Sequence, residues 1–394
     1  VNPAEDPTIA AADGAICATY KRFPIVLVEG RGASLWDSEG RRYTDFVAGI
    51  AVCNLGHAHP AVAEALCRQA KRLLHVSNLF YTVPQTELAA WLTAHSFAAR
   101  VFFCNSGAEA NEAALKLVRK YFNDRGAVGR RRVVAMERSF HGRTMATLSA
   151  TGQEKVRQGF EPVLGGFEFV PFNDIDALAR VVDEATAAVV LEPVQGEGGV
   201  RPPAPGYLQA VRALCDDAGA LLVFDEIQTG IGRTGKLFAH EHFGVQPDIM
   251  TLAKALANGL PMGAMLATEE IAAAFGAGSH ASTFGGTPIV AAAALEVVKA
   301  LEGGLIAQAA ATGAYFREQL LGLQARHPSV REVRGLGLLL GMEIDGDGDA
   351  LVRACLQRGF LINCIQGNIL RFVPPLTISR EEIDDLVACL DALL

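Results

Sequence analysis

The middle of the chain alternates short, β-prone apolar runs with stretches of helical periodicity. The runs lie at 101–104, 132–136, 187–191, 221–224 and 248–252. Runs this short suit buried strands. Strands alternating with helices predict an α/β fold with a mainly parallel sheet. Each run also ends on polar chemistry: Asn105-Ser106-Gly107, Ser139-Phe140-His141-Gly142-Arg143, Glu192-Pro193, Asp225-Glu226 and Lys254. Ligands of such sheets bind outside the carboxyl ends of the strands. Five polar clusters at five strand ends therefore predict one shared site.

Two of these residues define a chemistry. Lys254 is the only charge between Asp248 and Glu269, and it is followed by a Gly/Pro-rich turn. Desolvation lowers a lysine's preference for its charged form. A neutral amine is what a Schiff base with a carbonyl requires. Asp225 closes an apolar run 29 residues earlier (254 − 225), about one strand–helix–strand unit. The spacing predicts that Asp225 and Lys254 share the same end of neighbouring parallel strands. A lysine facing an aspartate across a pyridine ring is the basic requirement of pyridoxal phosphate chemistry.

The flanks read differently. Residues 23–30 form a strand candidate, and 34–46 read as two short strands about Glu39-Gly40. A helical pattern over 61–74 follows Gly56-His57-Ala58-His59-Pro60. No third ligand stands near the two histidines, so they are expected to cap and pack that helix rather than bind metal. Beyond 288 come an Ala-rich helix to about 301 and a second helix to about 323. A glycine-spaced strand over 332–343, a short helix over 352–357, a strand over 368–373 and a terminal amphipathic helix complete the chain.

Composition narrows the function. A net charge of −8 gives no basic footprint for nucleic acid. No run of eighteen uninterrupted apolar residues predicts a membrane span. The first six residues lack the basic and apolar parts of a secretory signal. The eight cysteines are scattered, with no C-x-x-C pair, and suit free thiols in a reducing compartment. A cytoplasmic protein is expected.

With Lys254, Asp225 and the strand-end clusters together, the chain resembles a class III (ω-amino) aminotransferase, of fold type I among pyridoxal phosphate enzymes. Within that class it is most similar to the acetylornithine aminotransferases of arginine biosynthesis. The likeness runs from about Trp36 to Arg371. It implies a seven-stranded, mainly parallel sheet in a large domain at 51–287. A smaller, discontinuous α+β domain would be made of 1–50 and 288–394.

The resemblance also assigns roles. Ser106 is a natural N-cap for the helix that follows. Gly107 and Ala108 at its start are matched to the cofactor phosphate, where helix N–H groups favour an anion. Thr283 is matched to a phosphate ligand reaching in from a second subunit, so a homodimer with shared sites is implied. Phe140 and Ile227 would cover the two faces of the ring. Gln228 would donate to the ring hydroxyl oxygen, and Glu226 is counted with the cofactor contacts. Asp225 would keep the ring nitrogen protonated, and Lys254 would move the substrate proton. Arg143 and Arg371 would bind carboxylates, Glu197 would mask Arg371, and Ser282 would contact the acyl substrate. For acylornithine, Arg143 would hold the α-carboxylate while Arg371 stays masked. For glutamate, the α-carboxylate would take Arg371 and the side-chain carboxylate Arg143.

Ornithine δ-aminotransferases carry a Tyr where this chain has Ile50. Ile50 cannot hold a free α-amino group, so an acylated or absent α-nitrogen is favoured. The implied reaction moves the terminal amino group of N-acetylornithine to 2-oxoglutarate. N-succinylornithine, N-succinyl-diaminopimelate, ornithine and 4-aminobutyrate are the other donors of the class. The scaffold also hosts a mutase and a decarboxylase, but paired arginines favour transamination. A cofactor-binding regulator would need a DNA-binding domain, and the segment before Trp36 is too short and not basic.

Overall fold

A computed structural model describes residues 6–394. Residues 1–5, most of the segment read above for a secretory signal, lie outside the described part. Near the N-terminus, β1 (Leu27–Arg31), β2 (Ser34–Asp37) and β3 (Arg42–Asp45) form an antiparallel meander.

The central sheet follows: β4 (Arg100–Cys104), β5 (Arg132–Met136), β6 (Phe167–Val170), β7 (Thr186–Leu191), β8 (Leu221–Asp225), β9 (Ile249–Leu252) and β10 (Gly263–Ala267). Their order across the sheet is β4-β10-β9-β8-β7-β5-β6. All neighbours are parallel except at β10, which runs antiparallel to both β4 and β9. Every residue of β7, β8, β9 and β10 is buried. That is the signature of a sheet covered on both faces. The helix Gly107–Asp124 buries Leu117 and Val118 on one face, and the helix Tyr207–Ala218 buries Leu208 and Val211 on the other.

The C-terminal part adds β11 (Val330–Leu336), β12 (Leu339–Ile344), β13 (Phe360–Leu361), β14 (Asn363–Ile365) and β15 (Ile369–Phe372). The stretch expected as one strand over 332–343 is instead the hairpin β11–β12. Its turn passes through Gly337 at φ +55°, and a Cβ there would lie 2.3 Å from the Thr234 carbonyl carbon. The hairpin tip thus packs directly on the loop that follows β8. β13 pairs in parallel with β3, so Thr44 and Asp45 sit beside Phe360 and Leu361. Among the described residues no helix is long and apolar enough to cross a membrane.

Candidate active site

Parallel pairing sets Asp225, the last residue of β8, beside Thr251 of β9, and Lys254 follows three residues on. Both side chains line one cavity of about 440 Å³ at the carboxyl ends of the strands. Ser106, Gly107, Ala108, Phe140, Arg143, Glu197, Ile227 and Gln228 line the same cavity. Residues from five loops, scattered over 148 positions of sequence from Ser106 to Lys254 (254 − 106), therefore meet at one place.

At one end of the cavity is a helix N-terminus. Ser106 caps the helix Gly107–Asp124, its Oγ accepting the Glu109 N–H at 3.2 Å. Glu109 reaches back to the Asn105 N–H, closing a reciprocal cap. The N–H groups of Gly107 and Ala108 belong to the first turn and have no intrahelical acceptor. Backbone donors and the helix dipole suit this end to a phosphate. A Cβ on Gly107 would lie 2.8 Å from Ile227 Cδ1, so only glycine lets the helix end come this close to Ile227.

At the floor is Asp225, 3% exposed. Its Oδ1 accepts the Ile227 N–H at 3.0 Å. Its Oδ2 accepts from Asn111 Nδ2 and faces His141 Nδ1, both at 2.8 Å. Asn111 is itself fixed: Nδ2 also donates to the His141 carbonyl, and Oδ1 accepts from Thr251 Oγ1, each at 2.8 Å. Burial works against a charged His141, but the Asp225 carboxylate, helped by Glu192, outweighs it and holds the imidazole above its ordinary pKa. Glu192 accepts N–H groups from Gly196 and Phe140, and burial pushes its carboxyl up to about 7.

Neither His141 nor Asn111 was assigned a role from sequence. Asn111 left a signal, being a polar residue on the otherwise apolar buried face of its helix.

Lys254 sits at φ +45°, a strained backbone for a side-chain-bearing residue and a feature that clusters at functional sites. Burial lowers its amine below the ordinary lysine pKa. Glu197, Asp225 and Glu192 oppose that shift, and Arg371 reinforces it.

The two arginines differ. Arg371 is 1% exposed and pairs through Nη1 with Glu197; Nη1 also reaches Gln228 Oε1 at 3.3 Å, and Nη2 donates to the Asn363 side-chain oxygen at 2.8 Å. Burial by itself would raise the Glu197 carboxyl, but Arg371, with Lys254 and Gln228, brings it below its ordinary range. Arg143 is exposed, with its guanidinium 5.5 Å from the Phe140 ring centre. Among the described residues it has no carboxylate partner. One arginine is masked and the other is open.

Two expectations need correction, the Glu226 cofactor contact and the capping histidines, and three further residues lie outside the cavity of their own chain. Glu226 does not line the cavity. Its carboxylate accepts from Thr229 Oγ1 and from the Ala239 and His240 N–H groups, because successive side chains at a strand end point to opposite faces. Ser282 and Thr283 stand outside the cavity of their own chain. Ser282 Oγ accepts from Gly285 N at 3.0 Å and Asn105 Nδ2 at 3.3 Å, and Thr283 is exposed.

Ile50 is 42% exposed, and the cavity wall nearest to it in sequence is Val52. The intervening chain is a left-handed turn, with Ala48, Gly49, Ile50 and Ala51 all at φ between 49° and 68°. His59 is the N-cap residue of the helix Pro60–Ala70, but neither its side chain nor that of His57 makes a capping hydrogen bond. His57 Nε2 instead lies 2.7 Å from Asp45 Oδ2, while Asp45 Oδ1 accepts from the Val47 and Ala48 N–H groups at the start of that turn.

The family model for class-III aminotransferases matches residues 16–394. The chain belongs to the class-III aminotransferases. It is 51% identical over 378 residues to the acetylornithine aminotransferase of Caldanaerobacter subterraneus subsp. tengcongensis, covering 95% of this chain and 96% of that one. It is 52% identical over 373 residues to that of Methanothermobacter thermautotrophicus, covering 94% of each. Among solved structures, an N-acetylornithine aminotransferase from Stenotrophomonas maltophilia superposes with a TM-score of 0.85 at 40% identity, over 98% of this chain and 97% of that one. An ornithine aminotransferase from Toxoplasma gondii gives 0.94 at 36% identity, over 98% and 93%.

Class-III aminotransferases use pyridoxal phosphate, and this cavity fits it. An anion-binding helix end, a buried carboxylate and a desolvated amine face one space. The Gly107 cradle, which any Cβ would fill, brings the helix end against Ile227, whose N–H Asp225 accepts.

Proposed function

We propose that this class-III aminotransferase moves the terminal amino group of N-acetylornithine to 2-oxoglutarate, giving N-acetylglutamate 5-semialdehyde and glutamate. The observation that carries the reading is the contrast between Arg371, buried and masked by Glu197, and Arg143, exposed and without a carboxylate partner among the described residues. Half-identity to acetylornithine aminotransferases over nearly the whole chain supports the choice of donor.

Bound pyridoxal phosphate supplies an aldehyde that takes up the amino group and a ring that accepts the electrons of the cleaved C–H bond. The chain supplies the rest. Gly107 and Ala108 N–H groups hold the phosphate, with Ser106 fixing the helix end. Phe140 and Ile227 bound the ring slot, and Gln228 binds the ring hydroxyl. Asp225, aimed by His141 and Asn111, would hold a proton on the ring nitrogen. Lys254 Nζ would be the amine that holds the cofactor aldehyde and the base that moves the proton of the substrate carbon. Its lowered pKa, caused by burial, keeps a neutral fraction available for both tasks.

An acylated donor places its α-carboxylate on Arg143 and leaves the Glu197–Arg371 pair closed. Glutamate needs both arginines, so Glu197 must swing away. Val52, an apolar side chain, gives a free α-ammonium no acceptor. Thr283, exposed and outside its own cavity, completes the phosphate site of a second copy, and Ser282 contributes there to the acyl group; the working unit is then a homodimer. Eight unpaired cysteines suit the reducing cytoplasm.

An amino-donor panel with 2-oxoglutarate as acceptor tests the reading. N-acetylornithine should give the highest kcat/KM, ahead of ornithine, 4-aminobutyrate and the succinylated donors. A higher value for any of these overturns the assignment of the donor.

A further inference from the structure

The loop that carries Glu197 rests on the C-terminal sheet in a way the reaction can use. Register aligns Arg334 of β11 with Gly341 of β12, Gly341 with Arg371 of β15, and Arg371 with Asn363 of β14. Directly opposed residues of antiparallel strands project to one face. This row therefore presents two arginines with a side-chain-free gap between them. Val200 fills the gap: a Cβ on Gly341 would lie 3.0 Å from Val200 Cβ. On one side Arg371 binds the Glu197 carboxylate; on the other, Arg334 Nε donates to the Gly199 carbonyl at 2.9 Å. Arg334 is pinned in turn by Glu332 and Glu343.

The remaining carbonyls of the loop are also held. Gly199 and Val200 N–H groups donate to Gly196 at 3.2 and 3.1 Å. Gln366 Nε2 donates to the Glu197 carbonyl at 2.8 Å, and Arg201 Nε to that of Gly198 at 3.2 Å. Gln195 and Arg201 close the loop with two backbone hydrogen bonds of 3.0 and 2.9 Å.

We infer that the Arg334–Gly341–Arg371 row, with Gln366, is a saddle that immobilises the backbone under Glu197 and so sets the balance between the two substrates. With four consecutive carbonyls tied, Glu197 releases Arg371 by side-chain rotation alone, and the stiffness of the saddle sets how readily it does so. Gln366, Gly341 and Arg334 are positioning residues acting through Glu197. Loosening the saddle weakens the mask, which favours any ligand that needs Arg371 and disfavours one that needs it covered. The inference rests on the masked-arginine reading proposed above.

The test uses Gln366→Ala, which removes one exposed contact, and Gly341→Ala, which pushes Val200. Glutarate, an unreactive dicarboxylate, is titrated calorimetrically into the cofactor-loaded protein. In each variant it should bind about threefold to tenfold tighter than in the parent, the scale of one net hydrogen bond. kcat/KM for N-acetylornithine should fall by a similar factor while kcat of the glutamate half-reaction holds. Adding Val200→Ala to Gly341→Ala should restore the parental ratio. Unchanged or weaker glutarate binding, or equal loss in both halves tracking a fall in Tm, overturns the saddle. A parent that rejects N-acetylornithine refutes the proposed donor instead, and the glutarate result then still decides the saddle.

Discussion

Replacing Arg371 by Lys separates the two substrates without stripping the site of charge. Arg371 is one of the groups that lower the Lys254 pKa, so a neutral replacement would also alter the base. Lysine keeps a cation there but loses the planar two-point grip on a carboxylate. Arg371 is 1% exposed, so a carboxylate bound to it is desolvated. Losing one partner of such a contact costs about 2–5 kcal/mol. At about 1.4 kcal/mol per factor of ten, the lower bound is roughly a 30-fold loss. In single-turnover kinetics kcat/KM for glutamate should therefore fall about 30-fold or more. N-acetylornithine, which leaves Arg371 covered, should stay within about threefold. The aldehyde and amine forms of the cofactor absorb differently, so each half is followed directly. Equal losses in both halves would refute the two-mode account and make Arg371 either structural or a ligand of both substrates.

Three further outcomes follow from named contacts. Arg143→Ala should damage both half-reactions, by about tenfold or more, since an open, charge-assisted hydrogen bond contributes about 1.5–3 kcal/mol; loss in one half only would remove it from the shared carboxylate site. Mixing Lys254→Ala chains with Thr283→Ala chains should restore part of the activity, because one of the two mixed sites is whole; inactive mixed dimers would rule out a shared phosphate site. The third outcome concerns pH. The Asp45 hydrogen bond, the largest contribution, with Cys53 and despite burial, raises His57 from 6.5 to about 9. A raised pKa contributes stability that is fully present below pH 6.5 and is lost as pH climbs to about 9. That contribution is about 3 kcal/mol, at about 1.36 kcal/mol per unit. Asp45→Asn keeps an acceptor for the Val47 and Ala48 N–H groups and should remove this dependence. Its deficit against the parent in urea unfolding should be largest near pH 6 and close by pH 9.5, and a pH-independent deficit would count against the ion pair.

Sequence legibility followed chain direction and faded across it. Strand-end chemistry was readable because a parallel sheet gathers the carboxyl ends of its strands, which put Ser106, Phe140, Asp225 and Lys254 on one side in advance. β10 was missed because Gly263-Ala264-Met265-Leu266-Ala267 lacks β-branched residues and is shaped by its two neighbours. β6 and the β11–β12 turn were missed for related reasons: one is only four residues long, and the other turns within a glycine-spaced apolar run that carries no Pro, Asn or Asp. Glu226 was misread because adjacency in sequence to Asp225 means opposite faces in space. The partners of Asp225, 84 and 114 positions away, leave no local pattern beyond a buried asparagine. The saddle under Glu197 could not be read at all, because strand register decides which residues stand in one row.

One covalent bond, from Lys254 to the cofactor aldehyde, decides the chemistry of the site. Borohydride reduction of the purified, cofactor-loaded protein, followed by peptide mapping, tests it directly. A single pyridoxyl label is expected on Lys254, and none in Lys254→Ala protein that keeps its fold by circular dichroism. A label on any other lysine, or an unlabelled Lys254 in protein that binds the cofactor, would contradict it.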